Sequence, residues 1–266
     1  MYGAVLGDMI GAPYEFNKNN IKTKDFDMFN SRVRYTDDSV MTVAVADAIL
    51  HTDKDATEED LKDAFVISMQ RWGRKYPKAG YGGKFRKWLA SDSPHPYGSY
   101  GNGSAMRVSP VGWYYDSLER TIDVAGWSAE VTHNHPDAVL GAEVTAAAIY
   151  MARTGASKEE IKSYAEQMLG QDLSMTCDEV RPWYTFDVSC LGTVPYSIIA
   201  FLEGQDFEDV IRTAVSLGGD CDTLTCIAGG MAEAYYGVPE KFVKECEKRI
   251  PEDMREILKI FISEID

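Results

Sequence analysis

Residues 40–50, VMTVAVADAIL, are the strongest indication of the fold, because they are apolar on most sides of a helix. A helix with this pattern belongs inside a protein core and not on its surface. Residues 138–153 are Ala-rich and apolar in the same way, and Gly155 follows them where a C-terminal cap glycine belongs. Both segments therefore predict buried helices.

Helix signals recur along the rest of the chain. Thr57 with Asp60 has the form of a capping box that opens a helix running to about residue 72, and Ser157 with Glu160 caps another helix. Further helices are predicted at residues 198–202, 207–217, 223–236 and 241–262. The sequence shows no period-2 alternation of useful length, which strands would require. The predicted fold class is therefore all-α.

The remaining residues form polar or glycine-rich loops at 17–38, 77–110 and 170–195. The charged segment 239–266 is predicted to be an amphipathic closing helix. Because the sequence has neither a linker nor a repeat, we predict a single compact all-helical domain over residues 1–266. The loop at 77–110 is long for a connection, and such loops are often functional.

Composition limits the class of protein. The 266 residues are 45% hydrophobic and 11% aromatic, enough to bury a sizeable core, and the formal charge is −15. An acidic surface repels a phosphate backbone, so we expect no broad nucleic-acid binding, although a single nucleotide-like ligand needs only a local site. The five cysteines form no Cys-x-x-Cys pair and suggest neither a disulfide framework nor a thiolate zinc site.

The start of the sequence lacks a basic segment followed by a long apolar stretch, and no run approaches the length of a membrane span. We therefore expect a soluble cytoplasmic protein without membrane contact. The sequence does not indicate an oligomeric state.

Two short acidic motifs each stand before an apolar helix: residues 36–39, TDDS, and residues 218–223, GGDCDT. Each combines paired carboxylates with a hydroxyl, which are hard oxygen ligands suited to Mg²⁺ or Mn²⁺. Helix capping is the alternative, since Asp, Ser and Thr are preferred at a helix start. One cap needs one such residue, whereas each motif supplies three or four. Two motifs of this kind in one chain favour metal binding.

If the two motifs meet in space, four carboxylates converge. Each like-charge contact near 4 Å costs about 4 kcal/mol at an effective dielectric constant of 20. Such a cluster takes up protons or binds cations, and a pair of divalent ions would neutralise four charges.

The motifs resemble the ADP-ribosylglycohydrolase family, which includes the dinitrogenase-reductase-activating glycohydrolases. The resemblance rests on four blocks in order, with a weaker fifth at Thr132-His133 followed by Pro136 and Ala138, and covers nearly the whole chain. The four blocks are residues 7–16 (GDMIGAPYEF), 36–41 (TDDSVM), 101–107 (GNGSAMR) with Pro110, and 219–223 (GDCDT).

The resemblance implies an all-helical fold with a dinuclear Mg²⁺ or Mn²⁺ centre. The metal ligands that it implies are Thr36, Asp37, Asp38, Asp220, Asp222 and Thr223. It also places Glu15 beside the metals, Asn102, Gly103 and Ser104 along the ADP-ribose site, and His133 near the nucleotide. The sequence departs from the family at Ser39, where many relatives have threonine, and at Ser104, where alanine is common. It is also shorter than several relatives, which leaves acceptor specificity open.

The function implied is hydrolysis of the bond between the distal ribose of ADP-ribose and an acceptor, through an oxocarbenium-like transition state. Glu15 or Asp38 is the expected general base, and the choice between them stays open. The substrate is ADP-ribose attached to arginine, serine, a nucleic-acid end or a small molecule. The alternatives are a binding or structural protein that keeps the fold without turnover, and a dinuclear phosphatase acting on nucleotides.

Two further features have structural interpretations. Gly3, Gly7 and Gly11 recur every four residues, which predicts close packing of one helix face. Arg107 can pair either with a phosphate of the ligand or, in a structural role, with a buried acid, and we favour the structural role.

Overall fold

The structure is a computed structural model that describes residues 1–265. These residues form fourteen α-helices and one 3₁₀ helix, with a single isolated β-bridge between Gly101 and Ser189. No helix within this part of the chain has both the length and the apolar character needed to cross a membrane. The fold class is therefore all-α, as predicted.

The helices follow the chain in this order: α1 Tyr2–Gly11, the 3₁₀ helix Ala12–Tyr14, α2 Asp37–Leu50, α3 Glu58–Lys75, α4 Gly83–Ala90, α5 Ser109–Tyr114, α6 Leu118–Glu130, α7 Pro136–Arg153, α8 Lys158–Leu169, α9 Cys177–Val180, α10 Cys190–Glu203, α11 Phe207–Leu217, α12 Cys221–Tyr236, α13 Glu240–Glu247 and α14 Glu252–Ile265.

The locally encoded helix starts are confirmed. The Thr57 hydroxyl accepts a hydrogen bond from the Asp60 backbone N–H at 3.2 Å, and Ser157 with Glu160 forms a complete capping box. Helix α11 coincides with the predicted segment 207–217. Helices α2 and α12 begin earlier than predicted, so the acidic motifs form their first turns instead of preceding them.

Proline accounts for two errors in the prediction. Helix α10 begins at Cys190 and not near residue 198, because Pro195 lies inside the helix instead of before it. The predicted helix 241–262 is two helices, α13 and α14, separated around Pro251. Proline lacks the N–H that would continue α13, but it is tolerated where α14 begins.

Two predicted loops contain helices. The segment 77–110 includes α4 and the start of α5, and the segment 170–195 includes α9 and the start of α10. Glycine and proline signals near these helices suggested irregular structure, whereas their apolar side chains pack on the core. Phe85 and Trp88 of α4, for example, are both buried.

Helix α1 lies directly against α12, backbone to backbone. A Cβ atom added to Gly3 would lie 2.2 Å from the carbonyl oxygen of Gly229, and one added to Gly7 would lie 2.1 Å from that of Thr225. At Gly11 the corresponding distance to the Cys221 carbonyl oxygen is 2.5 Å. The predicted close packing at the three glycines of α1 is confirmed, and it brings the end of α1 to the start of α12.

Buried apolar side chains form one contiguous core, to which α1, α2, α7, α10, α12 and α14 all contribute. Every residue of α1 is buried, and α2 is buried from Asp38 to Ile49. The helix that the sequence placed inside the core is therefore central to it, and its N-terminal turn opens onto the cavity described next.

Candidate functional site

A cavity of about 430 Å³ lies where the first turns of α2 and α12 meet the segment that follows α1. The acidic side chains in its wall are Glu15, Asp37, Asp38, Asp220 and Asp222. The two acidic motifs, which are remote along the chain, therefore lie together in space. The sequence indicated a metal site only if the two motifs meet in space, and they do.

Two groups of three carboxylates are close enough to share a cation. Asp8, Asp38 and Asp222 form one group, and Glu15, Asp220 and Asp222 form the other. Within each group, one oxygen from each residue lies within 4.8 Å of the others. Asp222 belongs to both groups, so the two groups adjoin.

Asp8 is the member of this cluster to which sequence reasoning gave no role. Its carboxylate is fully buried and accepts hydrogen bonds from the Thr36 N–H at 2.8 Å, the Thr36 hydroxyl at 2.6 Å and the Ser39 N–H at 3.0 Å, as well as from the Ser39 hydroxyl. It therefore fixes the first turn of α2. A signal was present, because Asp8 is the sole charged side chain in residues 1–14.

The carboxylates resist ionisation where they lie. Burial raises the pKa of Asp38 and of Asp222 well above the ordinary range, and the neighbouring carboxylates raise both further. Burial followed by the charge of Asp8 raises the pKa of Asp37 to about 7, and burial raises that of Asp220 to about 6. Glu15 reaches a pKa of about 7 through burial and the charge of Asp220. Buried like charges of this kind call for protons or cations.

The residues present fit a hard divalent cation. The Asp38 Oδ1 atom is buried and has no hydrogen-bond partner among the described residues. The Thr36 hydroxyl donates to Asp8 and, at 3.2 Å, to Asp38, while Thr223 lines the cavity. All the donors are carboxylate or hydroxyl oxygens, the ligands that Mg²⁺ and Mn²⁺ prefer. Asp37 lines the same cavity but belongs to neither carboxylate group.

Asn102 is directed at the acidic cluster. Its side-chain amide donates to Asp220 Oδ2 at 2.7 Å and to the Thr193 hydroxyl at 3.0 Å. The hydrogen bond from Asn102 also lowers the pKa of Asp220, opposing the effect of burial. Asn102 lines the cavity, as a substrate contact would, but its amide hydrogens hold Asp220 in place.

Gly103 and Ser104 differ in where they lie. Gly103 lines the cavity, and a Cβ atom there would come within 2.9 Å of His133 Nε2, so a side chain would collide with the imidazole. The Ser104 side chain is fully buried behind the wall and donates to the Ala138 carbonyl at 2.8 Å. A direct contact between the Ser104 hydroxyl and a ligand is therefore at odds with the structure, because this hydroxyl is already used inside the core.

His133 lines the cavity, and its hydrogen bonds favour one tautomer. The fully buried Arg107 guanidinium donates to the Ser128 carbonyl at 2.6 Å and to the Thr132 hydroxyl oxygen at 2.8 Å. The Thr132 proton is then directed at His133 Nδ1, 2.6 Å away, in preference to the Ala129 carbonyl at 3.4 Å. The shorter contact favours Nδ1 as the acceptor, with the ring proton on Nε2 at the cavity wall.

The same surroundings keep His133 neutral. Burial, and then the charge of Arg107, lower the pKa of His133 well below its ordinary value. Burial also lowers the pKa of Arg107, to about 10, which leaves the guanidinium charged at neutral pH. These contacts agree with a structural role for Arg107, but its partners are a carbonyl and a hydroxyl and not the expected buried acid.

Comparison with known proteins extends over nearly the whole chain. The family model described as ADP-ribosylglycohydrolase matches residues 1–265. The mouse (Mus musculus) protein ADP-ribosylhydrolase ARH3 is 31% identical over 324 aligned positions, which cover 92% of this chain and 85% of that protein. ADP-ribosylarginine hydrolase Tri1 of Pseudomonas putida (strain GB-1) is 24% identical, over 90% of this chain and 70% of that protein. A solved structure titled "ADP-ribosylglycohydrolase-related protein complex" superposes with a TM-score of 0.70 at 27% identity, covering 99% of this chain and 95% of that one.

Proposed function

Because this chain belongs to the ADP-ribosylglycohydrolase family, we propose that it is a metal-dependent hydrolase that cleaves the glycosidic bond between ADP-ribose and an acceptor. The observation that carries the proposal is the pair of adjoining carboxylate groups that share Asp222 at one cavity. The relatives named ADP-ribosylhydrolase and ADP-ribosylarginine hydrolase support the type of bond that is cleaved.

The proposed ligands of two Mg²⁺ or Mn²⁺ ions are Thr36, Asp37, Asp38, Asp220, Asp222 and Thr223. When bound, two divalent ions supply the positive charge that these buried carboxylates lack, and they polarise ribose and water oxygens. We assign Asp8 a positioning role instead, because four hydrogen bonds from Thr36 and Ser39 already occupy its oxygens.

Glu15 is our candidate for the general base. It is partly buried, whereas Asp38 is only 2% exposed and lies deeper in the cluster. Its carboxylate belongs to one of the two oxygen groups and also lines the cavity. A group in that position can take a proton from a water that attacks the anomeric carbon, whereas Asp38 is better placed to hold a cation. The proposed reaction releases ADP-ribose and the unmodified acceptor.

Other residues in the cavity wall suit the nucleotide. The segment Gly101–Gly103 and His133 line it, and the neutral imidazole presents its Nε2–H there as a hydrogen-bond donor. Lys84 is an exposed cation in the same wall, while Arg107 is occupied by Ser128 and Thr132. A donor and a cation in this wall are suited to the diphosphate of ADP-ribose.

The test is to offer the protein a panel of ADP-ribosylated acceptors with Mg²⁺ and to identify the products. Release of free ADP-ribose that stops on chelation and returns with Mg²⁺ or Mn²⁺ would support the proposal. Release of inorganic phosphate from a nucleotide would favour the dinuclear phosphatase. Binding of ADP-ribose by calorimetry, without turnover of any acceptor, would favour a binding homologue.

A further inference from the structure

A second cavity, of about 470 Å³, adjoins the first on the side of Glu15. The two cavities share Glu15 and Phe16, and the second is otherwise formed mainly by residues 12–19 and 31–34. Arg32 and Arg34 both line it, and we call it the arginine cavity. Since Glu15 contributes to both spaces, the arginine cavity borders the carboxylate cluster on this side.

Phe16 forms the boundary between the two cavities. Its backbone has a φ of +66°, a left-handed conformation that is rare for a residue with a bulky side chain. The residue is 45% exposed, and the centroid of its ring lies 5.0 Å from that of Phe186 in the wall of the first cavity. A strained backbone that presents an exposed aromatic ring between two cavities suits a surface that a ligand covers.

The arginine cavity differs in charge from the rest of the site. The side chains of Arg32 and Arg34 are exposed, and neither forms an ion pair within residues 1–265. The Arg32 guanidinium lies 5.5 Å from the centre of the Tyr14 ring, which restrains it at the cavity. Neither cation forms an ion pair among the described residues, although the charge of Arg34 acts on Glu15 and opposes the rise of its pKa, and both stand beside a site with five carboxylates in a chain whose net charge is −15.

We propose that the arginine cavity binds the acceptor side of the substrate and selects a protein acceptor with acidic side chains next to the ADP-ribosylated residue. This rests on the proposed function, which places ADP-ribose in the first cavity and the scissile bond at the carboxylate cluster. The acceptor then extends past Glu15 and Phe16, where two guanidinium groups can bind carboxylates. Lysine or arginine neighbours would be repelled.

A protein segment fits this cavity better than a nucleic acid does. The overall charge of −15 repels a long polyanion, whereas one or two carboxylates on a peptide need only the local field of Arg32 and Arg34. The cavity also adjoins exposed Phe16, which offers apolar contact to a peptide side chain.

The test uses synthetic peptides that carry ADP-ribose on serine and a parallel set that carries it on arginine. In each set the modified residue is flanked by glutamates, alanines or lysines, and an oligonucleotide ADP-ribosylated at its terminal phosphate is added. We expect kcat/KM for the glutamate-flanked peptide to exceed that for the alanine-flanked one by about fivefold, as exposed charge pairs allow. The preference should decrease as salt is raised.

Variants assign the preference to the cavity. Arg32→Gln and Arg34→Gln should each lower the glutamate-to-alanine ratio, and this ratio cancels any change in catalysis common to both peptides. Arg86→Gln is the matched control, because Arg86 is also exposed and without an ion pair among the described residues but lines a different cavity. It should leave the ratio unchanged.

The outcomes separate the two proposals. Two results would overturn the acidic-acceptor inference and leave the proposed function standing. One is ADP-ribose release at equal rates from all flanking sequences. The other is a glutamate-to-alanine ratio in Arg32→Gln and Arg34→Gln that is the same as in the parent protein. Faster release from the oligonucleotide than from any peptide would overturn the choice of a protein acceptor. No release from any substrate would overturn the proposed function and the inference with it.

Discussion

Helix α2 carries two buried aspartates in contrasting surroundings. Asp38, 2% exposed, faces other carboxylates and leaves its Oδ1 atom without a hydrogen-bond partner among the described residues. Asp47, 3% exposed, accepts hydrogen bonds from the Ser68 hydroxyl at 2.8 Å and the Trp72 indole N–H at 3.0 Å, and it pairs with Arg71. Burial is the same for both, and only the neighbours differ.

The comparison shows that a buried acid does not by itself mark a functional site. Around Asp47 each charge has a donor or a cation, so the group contributes to stability. Around Asp38 the protein concentrates like charge and leaves acceptor capacity unused, which costs free energy unless a ligand compensates. Structural and functional acids can therefore be distinguished by what surrounds them.

The largest effect is expected for Asp222→Asn, which removes the carboxylate shared by both groups. A cation site supplies several kcal/mol of transition-state stabilisation, so we expect kcat/KM to decrease by about 10³-fold. The metal-free variant should be as stable as the parent protein or more so, because like-charge repulsion decreases. Steady-state kinetics, metal titration by calorimetry and thermal unfolding check this. Full turnover in this variant would refute the metal assignment.

Asp47→Ala should decrease stability and leave activity unchanged, the reverse of the effects expected for Asp222→Asn. It leaves the Trp72 indole N–H buried without its acceptor, and we expect the free energy of unfolding to decrease by about 2–3 kcal/mol. Metal affinity and KM should stay as in the parent protein. Denaturant unfolding and kinetics below the unfolding transition measure the two effects. A changed metal requirement would show that the two ends of α2 are not independent.

The dependence of stability on pH also distinguishes the carboxylate cluster around Asp38 from the paired Asp47. The pKa values of Glu15 and Asp37 are raised to about 7 in the folded protein, so it binds more protons than the unfolded chain between about pH 4 and 7. These two groups therefore contribute stability to the metal-free protein that is lost as the pH rises through that range. Saturating Mg²⁺ should remove this contribution, and Asp47→Ala should retain it. A dependence of stability on pH that is the same in chelator and in saturating Mg²⁺ would contradict the raised pKa values.

The smallest effect is expected at Thr132, where a structural network reaches the cavity. Thr132→Val removes the hydroxyl that links Arg107 to His133 Nδ1, so the imidazole proton is no longer confined to Nε2. We expect KM to increase by about tenfold, the equivalent of one hydrogen bond to a charged group, with a smaller change in kcat. Thr132→Ser keeps the hydroxyl and should restore KM. Nitrogen-15 NMR of His133 would report the tautomer. An unchanged Nε2–H signal in Thr132→Val would show that the Thr132 hydroxyl does not fix the tautomer.

Local signals allowed much of the fold to be predicted. The caps at Thr57 and Ser157 and the limits of α11 depend on neighbours within a few residues, and the predictions at these positions are confirmed. The start of α10 and the break around Pro251 were missed because the effect of a proline depends on whether packing retains the helix around it. That packing involves residues far away in the sequence.

The acidic residues of the site were found for a similar reason, since paired carboxylates with a hydroxyl are visible in a short window. Asp8 was missed because a lone acid in an apolar helix does not by itself indicate a site. Its role becomes visible only when α1 packs against α12. The Ser104 contact was predicted from its neighbours, whereas the direction of its side chain depends on α7, which carries Ala138. The ligand roles of the six predicted metal residues remain predictions.

The glycine contact between α1 and α12 also bears on how the protein can change. With no side chain between the two backbones at Gly7, the separation of the helix axes is at its lower limit and cannot be adjusted by exchanging one side chain for another. A single added methyl group would push α1 outward and carry Asp8 away from Asp38 and Asp222. The spacing of the acids is therefore set by how closely the two helices pack, and a substitution at this glycine contact would alter that spacing without changing any of the acids.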